Sequence, residues 1–189
     1  MLRLTGGAWR GRRLDVPEGI RPTTELARKA VFDILGEAIR GARVLDACAG
    51  SGAYGLEALS RGAAHATFVE ANRGVARILR GNVGRLGAGA QAVVYETSVA
   101  RFSSKGEEGP ASAPGRALFD VVFHDPPFEE ISESDLQLLL SLVRTGGWLF
   151  HERGDDNVFA PGGLEPADRR RYGTTRFLVF RPGAPAAPC

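Results

Sequence analysis

The stretch that most constrains this chain is Val44-Leu45-Asp46-Ala47-Cys48-Ala49-Gly50-Ser51-Gly52-Ala53-Tyr54-Gly55. A short apolar run carries an acid, a glycine-rich turn follows, and residues 53–61 read as a helix stopped by Gly62. Strand, glycine turn and helix in that order open a doubly wound nucleotide-binding fold. Gly50, Gly52 and Gly55 satisfy the G-x-G-x-x-G spacing, which many nucleotide sites share. Two acids narrow the reading. Glu70 closes the next apolar run and suits a pair of ribose hydroxyls, as in dinucleotide sites. Asp46 has no task beside a pyrophosphate, but it can face the positive end of a nucleoside that carries an amino acid. S-adenosylmethionine is such a cofactor. Taken singly, Asp46 also reads as a helix cap and Glu70 as a solvated surface acid.

The rest of the chain repeats the alternation. Residues 43–46, 65–70, 92–95, 118–124 and 148–152 read as strands, and 24–37, 72–86 and 132–143 as intervening helices. Thr23 or Thr24 caps the first helix, with Leu26, Ala30, Val31, Ile34 and Leu35 as its expected apolar face. Residues 169–172 and 176–180 form a closing antiparallel pair. The expected fold is therefore α/β and Rossmann-like. It has a mostly parallel seven-stranded sheet covered on both faces, a C-terminal antiparallel hairpin and a small N-terminal β-hairpin arm. Residues 1–23 are read as the arm, 24–182 as the main domain and 183–189 as a disordered tail. The Ser-, Gly- and Pro-rich run 103–117 cannot bury enough apolar surface to order itself and reads as a mobile loop.

Charge says little globally, because 24 cationic residues stand against 22 acids. All the cations but Lys29 and Lys105 are arginines, which a biased base composition alone explains. Their distribution says more. The arm holds Arg3, Arg10, Arg12, Arg13 and Arg21 around Trp9, a pattern suited to phosphate contacts and base stacking. It is equally the pattern of a solvated terminus. Two cysteines give no disulfide framework, no apolar run nears the roughly 20 residues of a membrane span, and no His/Cys spacing points to a metal. With no signal-peptide pattern at the start, a cytoplasmic protein is expected.

Asp125-Pro126-Pro127-Phe128, directly after a buried strand, is the most specific feature. Two prolines fix the backbone and remove two donors, so carbonyls in the turn are free to face a ligand. An exocyclic amine offers one N–H to the Asp125 carboxylate and one to the Pro126 carbonyl, while Phe128 stacks on the base. That aims the nitrogen lone pair at an electrophilic methyl group, by positioning more than by proton abstraction. Asp46, Glu70, Ser98 and Asp125 all fall at or just past strand ends and converge on one rim. His124 reads as a satisfied strand-edge histidine.

The sequence resembles the RsmD family of bacterial methyltransferases. The likeness rests on Gly6-Gly7-Ala8-Trp9-Arg10-Gly11-Arg12, Arg21-Pro22-Thr23-Thr24 leading to Arg28 and Phe32, the Asp46 to Gly52 turn, Gly55 to Ala63, Asp125 to Phe128, and Arg171-Tyr172-Gly173. The resemblance implies a class I methyltransferase fold and S-adenosylmethionine held by Asp46, Ala49, Gly50, Ser51, Gly52, Glu70, Ser98 and Asp125. It implies transfer to the N2 amine of a guanine in 16S ribosomal RNA, free or in the small subunit, by a monomeric enzyme. Arg21 and Thr23 join the arm as RNA contacts. Another amine acceptor, adenine N6 or protein glutamine, and a non-catalytic RNA-binding assembly factor remain alternatives, as does an NAD-dependent oxidoreductase.

Overall fold

Each parallel βαβ step must carry the chain back across the sheet, so the helices fall on its two faces. The computed structural model describes residues 2–19, 24–104, 118–127, 132–153, 160–173 and 175–183. Arg21, Thr23, Phe128, the stretch 105–117 and the tail 184–189 lie outside them. In chain order the elements are β1 (Leu2–Arg3), β2 (Arg13–Leu14), α1 (Glu25–Leu35), a 3-10 turn (Gly36–Ile39) and β3 (Arg43–Ala47). Then come α2 (Ala53–Ser60), β4 (His65–Glu70), α3 (Arg73–Leu86), β5 (Ala92–Glu96), α4 (Val99–Ser104) and β6 (Phe119–His124). The chain continues through α5 (Glu133–Leu140), β7 (Val143–Arg153), a 3-10 turn (Pro161–Gly163), β8 (Asp168–Tyr172) and β9 (Thr175–Phe180).

β3 to β9 form one seven-stranded sheet in the order β5-β4-β3-β6-β7-β9-β8, and β1 pairs with β2 in a separate hairpin. β3 to β7 are parallel, β9 runs antiparallel to β7, and β8 antiparallel to β9. β8 therefore points the same way as the parallel set. Strand order reverses between β3 and β6, which makes their carboxyl ends the ligand rim. Phe32, Tyr54, Leu56, Phe68, Leu79, Phe123 and Phe150 belong to the core under α1, α2 and α3. Leu45, Phe102, Val122, Leu136, Leu139 and Leu149 belong to the core under α4 and α5.

Several expectations need correction. α1 buries Ala27, Arg28, Val31, Phe32 and Leu35, while Leu26 is 63% exposed and Ala30 and Ile34 are half-buried. The helix is rotated because Arg28 goes inward to meet an acid on α2, and a hydrophobic pattern cannot foresee that. The helix expected over 132–143 ends at Leu140, and β7 begins at Val143, well before Trp148. Gly146 and Gly147 do not stop a helix. They lie in a bulge where the β6–β7 register jumps from Phe119↔Val143 to Val121↔Trp148. Ser103 and Ser104, assigned to the mobile loop, belong to α4, a short helix the sequence reading missed.

Candidate active site

The glycine turn is built from both strands that flank it. The amide of Ala49 donates to the carbonyl of Val69 (3.0 Å), and Gly52 N–H closes the turn on Ala49 O (2.7 Å). Gly52 sits at φ 81°, and a Cβ there would lie 2.4 Å from Leu79 Cδ1; a Cβ on Gly55 would lie 2.3 Å from the Phe68 ring. These two glycines therefore let α2 press close to α3 and β4. Gly50 differs, because a Cβ on it would meet nothing within 4 Å. The turn is open to a ligand at that point.

Glu70 ends β4 with both carboxylate oxygens engaged by backbone. Gly50 N–H donates to Oε2 and Asn72 N–H to Oε1, each at 2.9 Å. Asn72 in turn caps α3. One amide on each oxygen fixes the carboxylate and leaves lone pairs for two adjacent hydroxyls. The residues present thus fit the ribose of an adenosyl cofactor.

Asp46 is 2% exposed and accepts from Gly55 N–H at 2.8 Å, so it anchors the first turn of α2, whose cap Gly52 has no side chain. Burial pushes its carboxyl well above the usual range, against the lowering by Gly55 N–H, and the charges of Asp125 and Glu70 push it further. The thiol of Cys48 is also raised, first by burial and then by Glu70, Asp135, Asp125 and Asp46. The rim over β4, β3 and β6 is thus a field of carboxylates. Such a field attracts a sulfonium or ammonium and repels a pyrophosphate.

Asp125 is half-buried one residue beyond β6, with Pro126 buried and Pro127 exposed. The pairs Ala47↔Val69 and Ala47↔His124 put Glu70 and Asp125 at one level on the strands either side of β3. Two strand spacings separate them, roughly 10 Å. Behind Asp125, His124 stacks on His151 (centroids 4.9 Å), and burial together with His151 holds His124 well below its usual range. Tyr54 stacks on Phe123 (4.8 Å) and donates its hydroxyl to Glu152 Oε2 (2.9 Å). Nothing in the sequence couples Tyr54 to Glu152, since only the sheet brings them together.

Ser98 lies past β5, exposed, where its hydroxyl accepts from Arg101 N–H (3.3 Å) at the start of α4. The arm is brought elsewhere. Thr5 donates its N–H and Oγ1–H to Glu57 (2.7 and 2.8 Å), and Ser60 accepts from Ala8 N–H (2.7 Å) and Trp9 N–H (2.9 Å). Gly7 has φ 74°, and a Cβ on it would fall 1.8 Å from Ser60 O, so only glycine permits this contact. Trp9 is half-buried and packs against the core. Arg10, Arg12 and Arg13 are exposed, with Arg12 donating to Arg85 O at 3.3 Å. α2 leads away from the rim, so its C-terminal end, where the arm docks, lies about 12 Å from the glycine turn.

The sequence reading missed the residues that hold the arm. Glu57 (0% exposed) accepts from Thr5 and from Arg61 Nε (2.8 Å) and lies 3.5 Å from Arg28 Nε, itself 0% exposed. Asn82 (0% exposed) exchanges hydrogen bonds with the backbone of Asp15 (2.9 Å each way) and donates to Ser51 O (2.9 Å). A lone acid among Leu56, Ala58 and Leu59, on a helix otherwise buried, was the available signal.

This strand order, with a glycine turn after its first parallel strand and a ribose-type acid after its second, defines a class I, S-adenosylmethionine-dependent methyltransferase. The family described as conserved hypothetical protein 95 matches residues 2–181. Ribosomal RNA small subunit methyltransferase D of Escherichia coli K12 is 40% identical over 153 residues, which is 80% of this chain and 71% of that protein. The protein of the same name from Haemophilus influenzae is 39% identical over 142 residues, 73% of this chain and 70% of its own. The solved structure of yhhF from Escherichia coli superposes with a TM-score of 0.80 at 34% identity, covering 97% of this chain and 99% of that one. The chain belongs to the RsmD family of ribosomal RNA small subunit methyltransferases. None of its described helices is long and apolar enough to cross a membrane.

Proposed function

We propose that this protein transfers the methyl group of S-adenosylmethionine to the exocyclic N2 amine of a guanine in small-subunit ribosomal RNA, as a monomer in the cytoplasm. The observation that carries the reading is Asp125, held at the switch point beside an acidic rim and level with Glu70 across β3. The names of the relatives support RNA of the small subunit as the acceptor. Bound at this rim, the cofactor supplies an electrophilic methyl on a positively charged sulfur. Glu70 takes its two ribose hydroxyls, and the turn from Ala49 through Gly50 and Ser51 to Gly52 faces its adenosyl and amino-acid parts. Asp46 faces the cationic end from the foot of the turn, and Ser98 borders the adenine. Asp125 accepts one N–H of the guanine amine and Pro126 O the other, which orients the nitrogen lone pair. Pro127 keeps the turn rigid, and Phe128 stacks on the base. The arm, with Trp9, Arg10, Arg12, Arg13, Arg21 and Thr23, holds RNA remote from the reacting atoms.

The test is transfer of labelled methyl groups to small subunits from a strain lacking this gene, followed by mapping of the modified nucleotide. Label on a single guanine N2 is expected. Label on adenine or on protein would overturn the guanine assignment, and no transfer at all would favour an assembly factor. Asp125→Ala should lower the rate by about 10²–10³ while cofactor affinity stays within a few-fold.

A further inference from the structure

The arm docks at the far end of α2, a helix length from the glycine turn, so a basic surface nearer the rim is better placed to hold the RNA backbone around the target base. Sheet register supplies it. β7 pairs Arg153 with Arg176 of β9, and β9 pairs Arg176 with Arg171 of β8. Three arginines therefore stand directly opposite one another in one cross-strand row. Paired residues share a face, and the row lies on the side of Leu178, the face that carries α4 and α5. His124 is level with His151, so Asp125 is one residue beyond that row and the arginines are two beyond it. β8 runs with the parallel set, which puts all three at the catalytic rim. They grade from buried (Arg153, 2% exposed) through half-buried (Arg176) to exposed (Arg171). Arg171 Nε donates to Gly173 O (3.1 Å), which fixes its stem near Tyr172.

The row sets three cations side by side at this end of the sheet. It also splits the rim by charge. Glu70, Asp46 and Asp125 lie over β4, β3 and β6, and the arginines over β7, β9 and β8. A cationic cofactor is drawn to the first half and a polyanion to the second, with Asp125 between them. We propose that Arg171 and Arg176, backed by the buried Arg153 in the same row, form a phosphate-binding surface that holds the RNA strand flanking the target guanine, an inference that rests on the ribosomal RNA reading above. Planar guanidinium groups suit phosphate oxygens, and the graded burial lets the strand lie from the rim outward over β8.

The test uses the full chain, small-subunit rRNA from the strain lacking this gene for binding, and small subunits from that strain for transfer. Affinity is measured between 50 and 200 mM salt for the parent, Arg171→Gln, Arg176→Gln and the double variant. Each substitution should lower the slope of log affinity against log salt by about 0.7–0.9. The double variant should bind roughly tenfold more weakly at 150 mM, with KM for subunits rising more than kcat falls. Arg171→Lys, which keeps the charge, should keep the slope. Arg170→Gln is the control, because Arg170 is on the opposite face and ion-paired to Asp168 (2.7 Å), and it should leave slope and KM at parent values. If the parent methylates RNA but the glutamine variants keep its slope and KM, the row is overturned and the ribosomal RNA reading stands. A parent that neither binds nor methylates the RNA overturns both. Loss of slope in Arg170→Gln equal to that in Arg171→Gln would reduce the effect to general surface charge and also overturn the row.

Discussion

Glu57→Ala should be among the most damaging single substitutions in this protein, although Glu57 touches no reacting atom. The carboxylate is fully buried and receives Thr5 N–H, Thr5 Oγ1–H and Arg61 Nε–H at 2.7–2.8 Å, with Arg28 Nε 3.5 Å away. Its removal leaves the guanidinium of Arg28, 0% exposed, without its counter-charge, and strips the Thr5 amide of its acceptor. Removing one partner of a buried charge pair costs about 3–5 kcal/mol. For a chain of this length each kcal/mol lowers the melting temperature by about 2–4 °C, so a fall of roughly 6–20 °C is expected. Differential scanning calorimetry reads it directly. Arg28→Met in the same background should recover part of the loss, because an apolar side chain of similar volume leaves no buried charge unpaired. A coupling of about 1 kcal/mol or more in that double-mutant cycle is expected. A drop below about 2 °C, or a strictly additive cycle, would refute the view that Glu57 and Arg28 act as one unit joining arm, α1 and α2.

Three further outcomes are expected. Glu70→Ala should weaken S-adenosylmethionine binding at least tenfold by titration, since each charge-assisted hydrogen bond lost is worth about 1.5–3 kcal/mol, with the maximal rate recovered at saturation; unchanged binding would remove Glu70 from the ribose site. Reversing Arg10, Arg12 and Arg13 to Glu should weaken RNA binding and flatten its salt dependence while S-adenosylmethionine affinity holds, and parent-like methylation at 150 mM salt would leave the arm a solvated terminus. His124 is held neutral in the fold while the unfolded chain binds a proton below about pH 6.5, so its contribution is complete above that pH and lost as pH falls through its lowered folded value. The melting temperature of His124→Leu should therefore fall less between pH 7 and 5 than that of the parent, and equal slopes would show that His124 does not titrate on unfolding.

Local sequence determined much of this protein. The glycine turn, the acids closing β3 and β4, the Asp125-Pro126-Pro127 corner and the alternation of strands and helices are short-range patterns, each set by backbone sterics or by one period of hydrophobicity. From these the doubly wound sheet and its rim were legible, as was the closing hairpin. Tertiary structure decided what depends on residues distant in the chain. Arg28 turned α1 by pairing with Glu57, so Leu26 was left outside a face that hydrophobicity alone assigned to it. Asp46 became the anchor of α2 only because the backbone of Gly55 returns to it. The extra residues at Gly146 and Gly147 became a bulge because β6 offered a partner to both sides of them. Arg171 stands out in sequence only as part of Arg171-Tyr172-Gly173 and Arg153 and Arg176 not at all, and it is the register of β7, β9 and β8 that lines the three up. A buried charge or a cross-strand row is fixed by its partner's position, and a one-dimensional pattern holds no record of that position until the sheet has closed.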